Sequence, residues 1–168
     1  MSITLITGVM ASGKSTVAQA LAERRSPGVH VRGDVFRRMV VSGREEMSAE
    51  PSPEALRQLG LRYRLMVRTA IAYHEAGFHV VCQDVILGEW LERVVAMFGD
   101  VRIDVVVLCP SPEVVLARET AREKTGYGVL TVADLDRSLR EETAHIGRWI
   151  DSSELTVKET VDAILAGD

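Results

Sequence analysis

The sequence predicts an α/β fold: a five-stranded parallel sheet as the middle of three layers, with helices on both faces. Two observations carry this prediction. Short Val- and Ile-rich runs alternate with longer segments of helical period, and neither a fixed-period repeat nor a low-complexity linker interrupts them. The 168 residues suit one domain around one core, and the 46% apolar and 26% charged shares are those of an ordinary globular chain.

In chain order, 3–7 (ITLIT) is the first strand, apolar or β-branched throughout, and it passes directly into GVMASGKST. A helix follows over 14–25, then a second strand over 29–32 and a helix over 35–41. Residues 42–52, with Gly, Ser and nearby Pro, read as a loop. The clearest helix covers 53–76, where Leu56, Leu59, Tyr63, Met66, Ala70 and Tyr73 recur at steps of three and four and Gly77 closes it. Its Arg57, Arg64 and Arg68 form a solvent stripe. A strand over 78–83 runs into Asp84, and a helix over 88–98 and a strand over 101–108 continue the alternation. The chain then predicts a helix over 112–122, an irregular stretch over 123–131, a helix over 132–145, a short strand over 146–150 and a last helix over 157–166.

Composition excludes several classes. No run approaches the roughly 18 apolar residues of a membrane helix, and the start MSITLITGVM lacks the basic region of a signal peptide, so the expected location is the cytoplasm. Cys82 and Cys109 fall in apolar runs and are expected as buried, reduced thiols. His30, His74, His79 and His145 show no metal-ligand spacing. A net charge of −4 argues against a protein that tracks nucleic acid along a basic face.

In an open parallel sheet the ligand lies beyond the carboxyl ends of the strands, so chemistry is sought at each strand's exit. At the first exit, Gly8 to Ser15 fits G-x-x-x-x-G-K-[ST], a pattern expected by chance on the order of 0.006 times in such a chain. Glycines let backbone N–H groups curl around a phosphate, and the helix beyond adds its unpaired N–H groups and positive dipole end. Gly8, Ala11, Ser12, Gly13, Lys14, Ser15 and Thr16 are therefore the nucleotide-binding candidates, with Lys14 reaching the β and γ oxygens and Ser15 offering its hydroxyl to Mg²⁺. A bare strand-to-helix turn would give Lys14 nothing to hold. No N-K-x-D guanine clamp is present, which points to ATP.

The third strand ends in Asp84 followed by Val85, not by a glutamate that would activate water, so the expected nucleophile is a substrate hydroxyl. Asp84 is the candidate for orienting Mg²⁺ together with Ser15, or else simply starts a turn. Asp34, at the second exit, is the candidate base; it equally suits the cap of a helix from Val35, and the two roles are compatible. Gly33 would allow close approach of the acceptor. Arg37 and Arg38 follow on the next turn, either holding an acidic acceptor or facing solvent, and Gln83 points either to the acceptor or to the opposite face. Arg118 and Arg122 share one helix face ahead of a glycine-bearing stretch, which predicts a small lid over 118–131 that neutralises charge on a transferring phosphoryl group; the alternative is a solvated face paired with Glu119 and Glu123. The Asp151-Ser152-Ser153 turn either lies against the adenine or is only a turn and cap.

Together GVMASGKS, the GD after the second strand, QDVILG, RETAR and IDSSELT resemble the small P-loop kinases of the nucleoside-monophosphate-kinase fold, and among them most the chloramphenicol phosphotransferase family, over residues 3–165. The resemblance implies ATP- and Mg²⁺-dependent transfer of a phosphoryl group to a hydroxyl of a small molecule, an antibiotic being one candidate, with Asp34 as base and Arg118 and Arg122 as lid arginines. Between 40 and 76 neither that family's acceptor segment nor a nucleotide-acceptor motif is recognisable. A nucleoside, nucleotide or polynucleotide kinase, and a nucleotide-gated module that sequesters a small molecule, are the alternative readings.

Overall fold

In the computed structural model, residues 1–121 and 130–167 are described. The chain forms β1 (Ile3–Gly8), α1 (Lys14–Glu23), β2 (Gly28–Arg32), α2 (Gly33–Arg38), α3 (Pro53–Glu75), β3 (His79–Gln83), α4 (Trp90–Ala96), β4 (Ile103–Leu108), α5 (Pro112–Thr120), α6 (Val132–Arg137), β5 (Arg148–Ile150) and α7 (Val157–Leu165). The five strands pair in parallel in the order β2-β3-β1-β4-β5, as the alternation predicts.

Strand periodicity divides the core between the two faces of the sheet. Leu5, Val80, Cys82, Val105 and Val107 pack on one face with Tyr63, Met66, Val67 and Ala70 of α3 and Leu91 and Val94 of α4. Ile6, Val81, Val106 and Leu108 pack on the other with Val17, Ala18 and Leu21 of α1 and Val161 and Ile164 of α7. Strand β1 is buried along its whole length because it lies mid-sheet with helices above and below. The chain builds β2 and β3 to one side of β1 and β4 and β5 to the other, so the exit of β1 is the switch point where such sheets bind ligands.

The helix starts follow local chemistry. Ser52, Ser111, Thr131 and Thr156 cap α3, α5, α6 and α7 through their hydroxyls, the last two in reciprocal boxes with Asp134 and Glu159. Several boundaries differ from expectation, and three of them have a local cause. Helix α2 begins at Gly33 and ends at Arg38 rather than covering 35–41; Met39 and Val41 beyond it find no core to bury against and stand 64% and 95% exposed. The segment expected as one helix over 132–145 is α6 followed by a wider, π-type turn, Ser138–Glu142, after which Thr143 bonds the Ser138 carbonyl and the Gly88 N–H. Strand β5 starts only at Arg148, since Gly147 takes a positive φ and passes so near β4 that a Cβ there would fall 2.2 Å from the Val105 oxygen.

Both cysteines are free and buried, as expected. Burial pushes the Cys82 thiol up to about 12. Among the described residues no helix is long and apolar enough to cross a membrane, and no group of three or more His, Cys, Asp or Glu residues is placed to hold a metal ion.

Candidate active site

The glycine-rich loop joins β1 to α1 where the sequence puts it. Gly8 has φ +149, and a Cβ there would fall 2.4 Å from the Leu108 oxygen of the neighbouring strand, so only glycine fits. Gly13, with φ +94, stands at the N-cap of α1, and Ala11 adopts φ +62 despite its methyl group. Unlike α3, α5, α6 and α7, helix α1 has no side-chain cap and no acidic residue in its first turn. The positive dipole end of α1 therefore meets the loop with no acid of its own first turn to balance it. Lys14 is folded inward, nearly buried, and its Nζ donates to the Val9 carbonyl at 2.7 Å. Ser15 and Thr16 are exposed beside it.

Arg118, in the last turn of α5, reaches across this loop. Its Nη1 donates to the Ser12 carbonyl at 3.4 Å and its Nη2 to the Ser152 carbonyl at 3.2 Å. The turn at 151–153 therefore lies against the phosphate loop, fixed by Ser153, which donates to Asp151 and accepts from the Ser111 N–H. Between them is a cavity of about 300 Å³ lined by Ser12, Thr16, Arg118, Ser152, Leu155 and Val157, among others. The Ser12 and Ser152 hydroxyls are enclosed and have no hydrogen-bond partner among the described residues. A second hollow, about 530 Å³, is lined by Glu113, Leu116, Ala117, Thr120 and Ala121. Arg122 and Lys124, and most of the lid expected over 118–131, lie outside the described residues.

At the exit of β3, Gln83 and Asp84 are both buried. The Asp84 carboxylate is gripped by Arg62, which donates from Nε to Oδ2 at 2.6 Å and from Nη2 to Oδ1, while the Val85 N–H donates to Oδ1 at 2.8 Å. Burial pushes the Asp84 carboxyl above its ordinary range, with Arg62 pulling the other way. Burial also opposes the charge on Arg62, but the facing Asp84 carboxylate outweighs it and raises the guanidinium pKa. This acid alone requires a glycine at 33: a Cβ there would stand 2.0 Å from Asp84 Oδ2.

Arg62 was missed by sequence reasoning, although a signal was present. It stands three residues after Leu59 and four before Met66, on the buried stripe of α3, where a charged side chain requires a partner. Arg57, Arg64 and Arg68 are exposed, as their spacing predicts.

Asp34 follows β2 but does not cap a helix, because α2 already starts at Gly33 with Arg32 at its cap. Its Oδ2 instead accepts from Arg38 at 2.7 Å, and its Oδ1 faces Arg32 at 3.7 Å, enclosed and without a hydrogen-bond partner among the described residues. Arg37 turns to Glu46, which also pairs with Arg44 at 3.2 Å. Residues 42–52 are tied back onto α3 by Gln58, which donates to the Gly43 carbonyl and accepts from the Glu45 N–H. Arg37 and Arg38 each hold an acid of this chain while their side chains stay 38% and 57% exposed.

The register sets these groups in a row. Arg32 pairs with Gln83 and Gln83 with Ile6, so the exits of β2, β3 and β1 lie side by side. With adjacent strands about 4.8 Å apart, the β2 exit lies about 10 Å from the β1 exit. Asp34, Asp84 and the phosphate loop follow in that order across one edge of the sheet.

Comparison with protein families matches residues 3–143 to the AAA domain family. The chain belongs to the AAA domain family. This AAA domain chain covers 99% of its own length on a sugar kinase from a Janibacter species, at 17% identity and a TM-score of 0.70 over 93% of that chain. It is equally similar in fold to the Deinococcus radiodurans tunicamycin resistance protein, with 22% identity, a TM-score of 0.70 and coverage of 99% and 94% of the two chains. A gluconokinase from Sinorhizobium meliloti gives 18% identity, a TM-score of 0.66 and coverage of 99% and 90%. Comparison with curated proteins found no match. These likenesses establish the P-loop kinase-like fold. The family match over 3–143 is coarser than the chloramphenicol phosphotransferase family that the sequence resembles.

Proposed function

We propose that this chain is an ATP- and Mg²⁺-dependent kinase that moves the γ-phosphate of ATP to a hydroxyl of a small molecule. The observation that carries this reading is the row of three strand exits: phosphate loop, buried acid, second acid. In this reading the loop is the donor site, Asp84 the cation site and Asp34 the acceptor base, within the span of one nucleotide tail and a small acceptor.

The residues present suit Mg²⁺. The Ser15 hydroxyl and the Asp84 carboxylate are oxygen donors, and Mg²⁺ takes one or two such ligands together with phosphates and waters; Asp84, engaged on both oxygens by Arg62, would act through water. The ion, when bound, neutralises phosphate oxygens. The chain's own groups do the rest. The loop N–H groups of Gly8 to Thr16 and Lys14 hold the polyphosphate. Arg118, already bridging the loop, balances negative charge on the transferring group, joined in this proposal by Arg122. Asp34 takes the proton of the acceptor hydroxyl as its oxygen bonds to the γ-phosphorus and the bond from that phosphorus to the leaving ADP oxygen breaks. For this the carboxylate must be released from Arg38 or Arg32, and Arg38, Arg37 and Gln83 form the acceptor side.

The cavity beside Ser152 suits the base of ATP, with Leu155 and Val157 offering apolar surface and Ser152 a hydroxyl. The names of two similar structures put sugars and sugar acids first among acceptors, and the likeness to the tunicamycin resistance protein puts antibiotics second. The net charge of −4 disfavours a polynucleotide.

The test is incubation with Mg·ATP and a panel of such acceptors, reading ADP release and acceptor mass. A gain of one phosphate supports the kinase. A bound acceptor of unchanged mass supports sequestration instead.

A further inference from the structure

Helix α3 sends two consecutive side chains to the exit of β3. Arg62 closes both arms of its fork on the Asp84 carboxylate, and Tyr63 donates its hydroxyl to the Val85 carbonyl at 2.6 Å while packing edge-on against Trp90. Residues 84 and 85 are thereby held at side chain and backbone by one helix. The Arg62 side chain is 16% exposed and that of Asp84 2%, so salt screens the pair only weakly. A planar fork bound at both oxygens fixes the plane of the carboxylate, which a lysine's point charge does not.

Arg62 also lies close enough to Asp34 to feel its charge. It comes from the helix against which α2 packs. The guanidinium thus pairs with the acid proposed for the cation and feels the charge of the acid proposed for the acceptor.

We infer that Arg62 is a positioning residue for the cation site: by locking the Asp84 carboxylate it presents that acid, through water, to a divalent cation at the phosphate loop. The inference rests on the kinase reading, which assigns Asp84 to the cation. Without the fork the Asp84 carboxylate keeps the Val85 N–H on one oxygen and loses the grip that fixes its plane, whereas Mg²⁺ tolerates little departure from octahedral geometry. Partners that orient metal-site acids typically cost 10- to 100-fold in affinity or activity when removed.

The test is the binding of a fluorescent ATP analogue in Mg²⁺ and in EDTA by wild type, Arg62→Lys and Arg62→Met, with thermal unfolding in EDTA. Magnesium should tighten wild-type binding. In Arg62→Met that gain should shrink by on the order of tenfold, with a smaller change in EDTA, and Arg62→Lys should fall between the two. Metal-free unfolding reports the pair itself: Arg62→Met should lower Tm by on the order of 10 °C, and Arg62→Met combined with Asp84→Asn by less than the sum of the single changes. Should Arg62→Met fail to fold, Arg62→Lys carries the test.

A salt bridge that only stabilises the fold would lower Tm in these variants and leave the full magnesium gain. That result overturns the inference and spares the kinase reading. A wild type that binds no nucleotide in either condition overturns both.

Discussion

Asp84 Oδ2 stands 2.0 Å from where a Cβ would be on Gly33. The acid is locked by Arg62, so it cannot swing away to make room. Gly33→Ala should therefore cost about 1–3 kcal/mol of stability, a Tm lower by roughly 3–10 °C, and should weaken magnesium-dependent nucleotide binding as well. Thermal unfolding and a magnesium titration check both effects. A Gly33→Ala protein with wild-type Tm would mean that Asp84 has somewhere else to go.

Lys14 is the one basic side chain that the glycine-rich loop itself supplies. Lys14→Ala should abolish ATP-dependent phosphorylation of any acceptor found, measured as ADP release, while the core around β1 keeps far-UV circular dichroism unchanged.

Asp34→Asn keeps the shape of the side chain and its place in α2 but removes the base. Turnover should fall by on the order of 10²-fold or more, with nucleotide affinity close to wild type. Steady-state kinetics with a verified acceptor decide it, and full turnover in Asp34→Asn removes the base assignment.

Arg118 contacts the loop through the Ser12 carbonyl and the 151–153 turn through the Ser152 carbonyl. Arg118→Lys cannot span both, so kcat should fall on the order of 10²-fold and KM for ATP should rise. An unchanged kcat with a raised KM would limit Arg118 to binding.

Cys82 is fully buried with its thiol pushed up to about 12, and burial raises that of Cys109 as well. Native protein at pH 8 should react with a thiol reagent slowly at both positions, and unfolded protein should react at once with both thiols. Fast labelling of the native chain would show that one of these strands opens.

What the sequence made legible is what local chemistry controls. The loop at Gly8 to Thr16, the parallel alternation, and the acids following β2 and β3 are all written in runs of adjacent residues, and the structure sets them at the predicted strand exits. Partner choice across the fold is not local. Nothing near Arg37 announces Glu46, and nothing near Asp84 announces Arg62, because each pair forms only when separate elements dock. The end of α2 is illegible for a related reason: Met39 and Val41 continue an apolar pattern, but both stand exposed. At Gly33 the close approach is legible in the sequence, whereas its neighbour Asp84 comes from another strand.

The most direct test is a crystal structure grown with Mg²⁺ and a non-hydrolysable ATP analogue. The β and γ phosphates should be cradled by Gly8 to Thr16, the base should lie beside Ser152, and Asp34 should face the γ-phosphate across the cleft. Phosphates bound elsewhere on the chain, or an Asp34 turned away from them, would contradict it.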